Sequence, residues 1–517
     1  MAAWDWLVIA VYLVAMVGLS AWLARGQRDE GDYYVGGRNL PWWAVGISVV
    51  ATQSSAISFV SIPAFVALRP GGGLTWLQYE LAVPLAMIFV LTVLVPYFRS
   101  LELVSVFEFL RTRFGPGTAR FLSVIFLLSR GFGTGVGVYA TALVVASMVG
   151  WGLAPTILLI GVAAVIYDTL GGIKAVVVSD VIQLALIVAG VVVAVRIAWS
   201  MAGGAGEMWA MLEPARRAAI DPRWGVGDEA IAPFWAYLIG GFFLYSSYYG
   251  TDQSQVQRVL CTRNTGEAKR ALLLNGLARL PLTLLYVGLG VALGAVYQLS
   301  PELRAAVPAD RLDALVPQFI LLYVPVGLKG LILAAVLAAA MSSLDSAINS
   351  LSAVTMRDYV APYWKLDTKR QLWWGKVSTV GWGALVTAAA FAAGGIDKTV
   401  IEAINKVGSA FYGPVLATFV LGVLTRRIGG RAMCAGVAAG VAVNVTFWLL
   451  ALPVHWMWWN LIGFVVAVAV AAAMPAGTRS EMPPAPAWRE TWRGGGGTLA
   501  ALVTVFLVVL ALVVGLG

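Results

Sequence analysis

The sequence predicts an all-α integral membrane protein of about fourteen transmembrane helices, ten of which form a five-plus-five inverted-repeat core. Three observations carry this expectation. Apolar residues fill 60% of the 517 positions and mean hydropathy is +0.84, far too apolar for a soluble domain. They gather into fourteen segments long enough to cross a bilayer, near 4–25, 42–68, 74–97, 119–148, 153–171, 175–200, 233–253, 268–297, 329–355, 373–395, 400–425, 431–451, 455–474 and 497–516. Polar residues interrupt two of them at corresponding places.

The first segment, Trp4 to Ala24, has no basic residue before it and no clear cleavage site, and Asp5 stands at its start, so it reads as a retained helix and not as a signal peptide. With the N-terminus outside, the loops alternate, and 23 of the 35 Lys and Arg residues fall on the inner side; eight fall outside, and Arg130, Arg196, Arg279 and Lys406 lie within spans. Both termini are thus expected outside a cell (inner) membrane. The net charge of +9 is accounted for by this inner excess and by anionic lipid, with no indication of nucleic acid. Cys261 and Cys434 fall on or near the inner side and imply no disulfide.

Residues 1–40 hold the leading helix and an inner loop. Segments two to eleven divide into 41–202 and 232–427, separated by a polar outer loop at 203–231, and 428–517 carries accessory C-terminal helices. Five is odd, so the halves enter the membrane in opposite orientation, as in secondary transporters whose site lies where the leading helix of each half is broken. The second segment places Thr52, Gln53, Ser54, Ser55 and Ser58 near mid-depth, with Pro63 beyond. The seventh carries Tyr245-Ser246-Ser247-Tyr248-Tyr249-Gly250-Thr251-Asp252-Gln253. Ordinary Ser-rich packing surfaces are the alternative reading of either run. The outer stretches 203–231 and 298–328 have room for short helices, and Thr478 to Gly497 reads as a Pro- and Gly-rich linker.

Within the ninth segment an otherwise oily stretch carries Ser342, Ser343, Asp345, Ser346, Asn349 and Ser350. At 3.6 residues per turn Ala339, Ser342, Ser346 and Asn349 share one stripe, flanked by Ser343 and Asp345, so oxygens converge as a cation requires. A carboxylate within a span needs a partner or a cavity. Close helix packing and back-bonding of serines to their own helix is the competing reading.

Four further pieces in order are Tyr34-Val35-Gly36-Gly37-Arg38, the run from Gly171-Gly172 to Ser179-Asp180 and Gln183, Asp252-Gln253 with Val256-Gln257-Arg258, and Ala339 to Ser350. On these residues the chain resembles, over nearly its whole length, the sodium:solute symporter family of sodium/glucose, proline and sialic acid transporters. The resemblance implies a leucine-transporter type fold with alternating access. It implies a sodium site from the carbonyls of Ala51, Ser54 and Ala339 and the hydroxyls of Ser342 and Ser343. A possible second sodium, or a proton, is implied at Asp180, Asp345 and Ser346, where an aspartate at 345 departs from the sialic acid transporters' pattern; Asp180 could instead be a wet charge near Lys174.

For the solute, the resemblance implies Gln53, Ser55, Ser58, Gln78, Glu80, Tyr245, Tyr248 and Asn405. Such polar groups beside flat aromatics suit hydroxylated or zwitterionic solutes. Arg130, about eleven residues or roughly 16 Å into its span, either grips a carboxylate or pairs with a structural acid, and Lys406 has the same ambiguity. The expectation is a monomeric sodium-driven symporter, sodium ion being its one cofactor, that imports a small polar solute such as a sugar, sugar acid or related carboxylate. Alternatives are a proton-coupled or amino-acid symporter of this fold and a membrane sensor, which would need a signalling domain. An enzyme is not expected, since His455 is the only histidine and no metal-ligand spacing occurs.

Overall fold

The computed structural model describes residues 1–101, 103–228, 230–393, 400–475 and 496–516, the side chains of 400–405 excepted. Among them the architecture is helical throughout, apart from one isolated bridge between Val226 and Val454. The main helices are α1 (Ala3–Ala24), α2 (Trp42–Gln53), α3 (Ala56–Ala67), α4 (Leu74–Ser100), α5 (Pro116–Val149), α6 (Leu153–Met201), α7 (Gly241–Thr251), α8 (Gln253–Leu260), α9 (Thr265–Leu299), α10 (Leu328–Thr355), α11 (Thr368–Ala392), α12 (Val400–Leu424), α13 (Gly430–Leu449), α14 (Trp456–Ala473) and α15 (Gly496–Gly515).

By length and apolar composition ten described helices can cross a membrane, or eleven with the bent pair α2 and α3. The difference from fourteen has physical causes. α6 runs for 49 residues, about 73 Å at 1.5 Å per residue, more than twice a bilayer core of about 30 Å. It is broken at Gly172 (φ +58°), where a Cβ would come within 2.6 Å of the Tyr33 carbonyl oxygen. The remaining two expected spans are α11, diluted by Thr, Lys and Arg, and α7, cut short by the break that follows it.

α10 is the most enclosed of the long apolar helices, packed chiefly on α6 with α5, α1, α11 and α8 around it. Its start is tied to the first helix: Asp5, fully buried, accepts the backbone N–H groups of Gly327 (2.7 Å) and Gly330 (3.0 Å). A carboxylate there satisfies donors that a helix start leaves unpaired and opposes the positive end of the helix dipole. α12, α13 and α14 form a separate packed trio, and α15 lies against α9 and α4. Most of the linker expected from Thr478 to Gly497 lies outside the described residues.

Candidate functional site

The two polar runs end their helices. α2 stops at Gln53, Ser54 leaves helical geometry (ψ 77°), and Ser55 turns extended and accepts from the N–H of Ser58 (3.3 Å), starting α3 at 57° to α2. α7 ends at Thr251, and Asp252 is extended and caps α8 by accepting from the N–H of Ser254 (2.8 Å). Helix breaks of this kind are tolerated at membrane depth only inside protein or beside a cavity, and they free carbonyls for ions.

α10 faces the first break. The Ser343 hydroxyl donates to the Thr52 carbonyl (2.9 Å) and lies 3.3 Å from the Ala339 carbonyl, and the Ala51 carbonyl accepts from Ser54 N–H (3.0 Å). The Ser343 hydroxyl and the Ala339 carbonyl thus lie against the end of α2 at Thr52, next in the chain to Ala51 and two residues before Ser54. Hard, uncharged oxygens of this kind could hold a sodium ion. Ser342 is turned elsewhere, donating to Asp180 Oδ1 at 2.5 Å.

Asp180 is fully buried and is no wet charge at a mouth. The guanidinium of Arg258, 1% exposed, lies 3.2 Å from its Oδ2, and Ser48 also donates to that oxygen. Arg258 continues to Ser48 (2.6 Å), Ser346 and the Ser254 carbonyl. Next to it Asp345 accepts from Tyr167 and from the N–H of Ser346 (2.6 Å). One turn further on, Asn349 donates to Asp168 Oδ1 (3.3 Å), and Asp168 Oδ2 has no hydrogen-bond partner among the described residues. Three buried carboxylates therefore stand on α6 and α10, and one of them, Asp180, pairs with the Arg258 guanidinium of α8.

Beside the breaks lies a cavity of about 310 Å³, lined by Gln53, Ser55, Ser58, Glu80, Arg130, Tyr245 and Tyr248 among others. Two ion pairs stand in its wall. Arg279 donates to Glu80 (2.6 Å) and to the Tyr245 hydroxyl (2.7 Å), while Thr283 holds the other Glu80 oxygen (3.0 Å). Arg130 is held more loosely, 3.6 Å from Asp252 and 3.1 Å from the Ser254 hydroxyl, with its Nε unpartnered. The arrangement has no nucleophile–base pair; it offers polar recognition with exclusion of water.

Residues 33–440 match the sequence model of the Sodium:solute symporter family. The chain belongs to that family. It is 32% identical over 472 residues to a sodium/sialic acid symporter of Aliivibrio fischeri, covering 90% of this chain and 92% of that one. It is 30% identical over 454 residues to the human sodium-coupled monocarboxylate transporter 1, covering 86% and 72%. The solved structure of a substrate-bound, outward-open sodium-coupled sialic acid symporter overlays with a TM-score of 0.82 at 26% identity, covering 92% of this chain and 99% of that chain. A nucleobase-cation symporter, Mhp1, shares the fold at 12% identity and a TM-score of 0.57. This chain is therefore a multi-pass membrane transporter and not an enzyme, a symporter that couples sodium to a small organic solute.

Within this symporter the sequence-derived residues divide. Gln53, Ser55, Ser58, Glu80, Arg130, Tyr245 and Tyr248 share the cavity. Gln78 is spent on neighbouring backbone, donating to the Thr75 and Ala232 carbonyls (3.1 and 3.0 Å) and accepting from Asp221 N–H (3.2 Å). The Asn405 side chain lies outside the described residues. Arg130 pairs with an acid, Asp252, and lines the cavity. Sequence reasoning missed Arg279, Arg258 and Asp168. Arg279 already stood out as a cation within a span. Arg258 was counted with the inner-loop cations but sits buried in α8.

Proposed function

We propose that this chain uses the inward sodium gradient to import a small polar organic solute bearing a carboxylate, a sugar acid or related compound, by alternating access across the cell (inner) membrane. The observation that carries the reading is Arg130, a guanidinium on a span with a buried, unpartnered Nε and only a loose ion pair, at a cavity of monosaccharide scale. A carboxylate accepts two donors from such a fork. Gln53, Ser55, Ser58, Glu80, Tyr245 and Tyr248 then meet hydroxyls and ring faces of the solute. Gln78 positions the outer loop. The names of the relatives, sialic acid and monocarboxylate transporters, agree with an acidic solute.

In this reading sodium binds at Ala51, Ser54, Ala339 and Ser343, with Ser342 helping through Asp180. A second cation belongs beside Asp345 and Ser346, while Asp180 is already balanced by Arg258. The fold is read as fourteen spans, α6 counted twice and α7 with α8 and α11 as spans, with inverted five-helix repeats either side of 203–231, both termini outside, and a monomer bathed in anionic lipid. Each charge crossing 100 mV supplies about 2.3 kcal/mol toward accumulation.

A thermal-shift screen of sugars, polyols, amino acids and carboxylates, each in sodium and in potassium, tests the reading. Stabilisation by a hydroxylated carboxylate in sodium alone is expected. Stabilisation only by amino acids or by uncharged sugars would contradict the acidic solute, and equal stabilisation in both cations would contradict sodium coupling.

A further inference from the structure

Asp168 is a fully buried carboxylate on α6 that neither the sodium positions nor the solute cavity uses. Its Oδ1 accepts from the Asn349 side-chain amide at 3.3 Å. Its Oδ2 has no hydrogen-bond partner, and among the described residues Asp168 forms no ion pair. The amide is aimed from behind, because Asn349 Oδ1 accepts from Gln257 Nε2 (2.8 Å), which also donates to the Tyr34 carbonyl (2.7 Å). Asn349 therefore presents N–H to one carboxylate oxygen and leaves the other bare.

The charged and titratable groups around Asp168 supply no counter-ion. Arg258 on α8, the cation whose charge reaches it, is spent on Asp180 (3.2 Å), Ser48 (2.6 Å), Ser346 and the Ser254 carbonyl. Asp345 on α10 adds negative charge, and Tyr167, next in the chain, donates to Asp345. Tyr12 of α1 is turned to Gln183 (3.2 Å). The short helix Glu30–Val35 brings the Tyr33 hydroxyl to 3.5 Å from the Asp168 carbonyl, while its Glu30 faces Arg357 (3.6 Å). Lys376 of α11 reaches the Tyr33 ring, 5.8 Å from its centre, and not the carboxylate.

Three carboxylates, Asp168, Asp180 and Asp345, thus have one guanidinium among them, and Asp168 stays uncompensated whether or not a cation sits beside Asp345. A carboxylate on a spanning helix persists only with a partner. Sodium gathers several oxygens, whereas Asp168 offers one free oxygen beside an amide donor. A proton needs only that one, and a neutral O–H is far cheaper to bury than an unpaired charge.

We propose that Asp168 is a proton-binding site, separate from the sodium positions, that holds one proton on Oδ2 while Oδ1 accepts from Asn349. The proton comes from water at the end of the span, where Gly172 breaks α6 four residues further on and Lys174 is exposed. The symporter then carries a proton alongside its sodium.

Infrared spectra of the purified full chain at pH 7, in potassium and in sodium, test it through the carbonyl stretch of a neutral carboxylic acid. The difference between the parent chain and Asp168→Asn should contain that band in both salts. Melting temperatures give a second readout. The folded chain holds a proton that the unfolded carboxylate has released, so stability present at pH 6 should be lost as pH rises to 9, and Asp168→Asn should lose less. A difference spectrum without the band, or parallel melting curves, would overturn the site. A band that disappears when sodium replaces potassium would put sodium there and overturn the proton. If Asp168→Asn does not fold, Asp168→Glu keeps the acid and should shift the band; an unshifted band would place the proton on another residue and overturn the assignment.

Discussion

The guanidinium of Arg258 lies 3.2 Å from Asp180 Oδ2, with both side chains at most 1% exposed. A buried carboxylate is tolerated only with a partner, and here the partner is part of the chain instead of a transported ion. The same guanidinium reaches Ser48 on α2 and Ser346 on α10, so it ties α2 to α10 through α8.

Removing one member of that pair leaves a buried, uncompensated charge, which typically costs about 3–5 kcal/mol. Arg258→Gln should therefore lower the melting temperature in detergent strongly, and Asp180→Asn in the same chain should recover much of the loss. A double variant no more stable than the single one would mean that the two side chains are not energetically coupled.

The two cavity pairs should separate stability from transport. Arg279→Gln strands Glu80, which is 2% exposed, and is expected first as a fall in melting temperature that Glu80→Gln partly repairs. Arg130→Gln breaks a looser 3.6 Å contact with Asp252, which keeps the Ser254 N–H and hydroxyl as donors, and should cost less stability than Arg279→Gln while raising the KM for a carboxylate solute about tenfold or more, the scale of one charge-assisted hydrogen bond. An unchanged KM in proteoliposome uptake would take Arg130 out of the solute site.

Asp5→Ala removes the acceptor for two N–H groups at the start of α10, and a loss of about 1–2 kcal/mol is expected from lost capping. Asp5→Asn should cost less, because its amide oxygen still accepts. Denaturation midpoints of the two variants against the parent chain provide the check.

His455 is held neutral by burial, its pKa pushed down to about 4 against about 6.5 when unfolded. The unfolded chain therefore binds the extra proton first, so this stability is complete above about pH 6.5 and fades as pH falls toward 4, by about 3 kcal/mol at most. Melting temperatures across pH 4–7 should fall more steeply for the parent chain than for His455→Asn. Parallel curves would show that the imidazole does not titrate with unfolding.

Much of this was legible in the sequence because polar groups are costly in hydrocarbon and therefore rare. The break after Gln53 and the break at Asp252 both sit within or at the end of polar runs flanked by apolar residues, and Ser343 flanked the expected oxygen-bearing stripe. Pairings across the chain were not legible. Arg258 follows a stretch of Gln and Ser that reads as a loop entrance, and only the fold brings Asp180 to it. Asp168 sits four residues before the break at Gly172, where a span's end and a wet carboxylate look alike. Gln78 matched a solute position by resemblance, yet its amide is consumed by Thr75, Ala232 and Asp221. Side-chain direction is decided by neighbours that sequence spacing does not reveal.

We propose that sodium binds where Ser343 bridges the broken α2 to α10. The test is the melting temperature of the purified chain followed against sodium concentration, with potassium keeping ionic strength constant. The parent chain should be stabilised saturably by sodium and not by potassium; Ser343→Ala should need about tenfold more sodium, and Ser342→Ala, whose hydroxyl is turned to Asp180, should need less of an increase. Superimposable sodium curves for the parent chain and Ser343→Ala, or stabilisation by potassium equal to that by sodium, would contradict it.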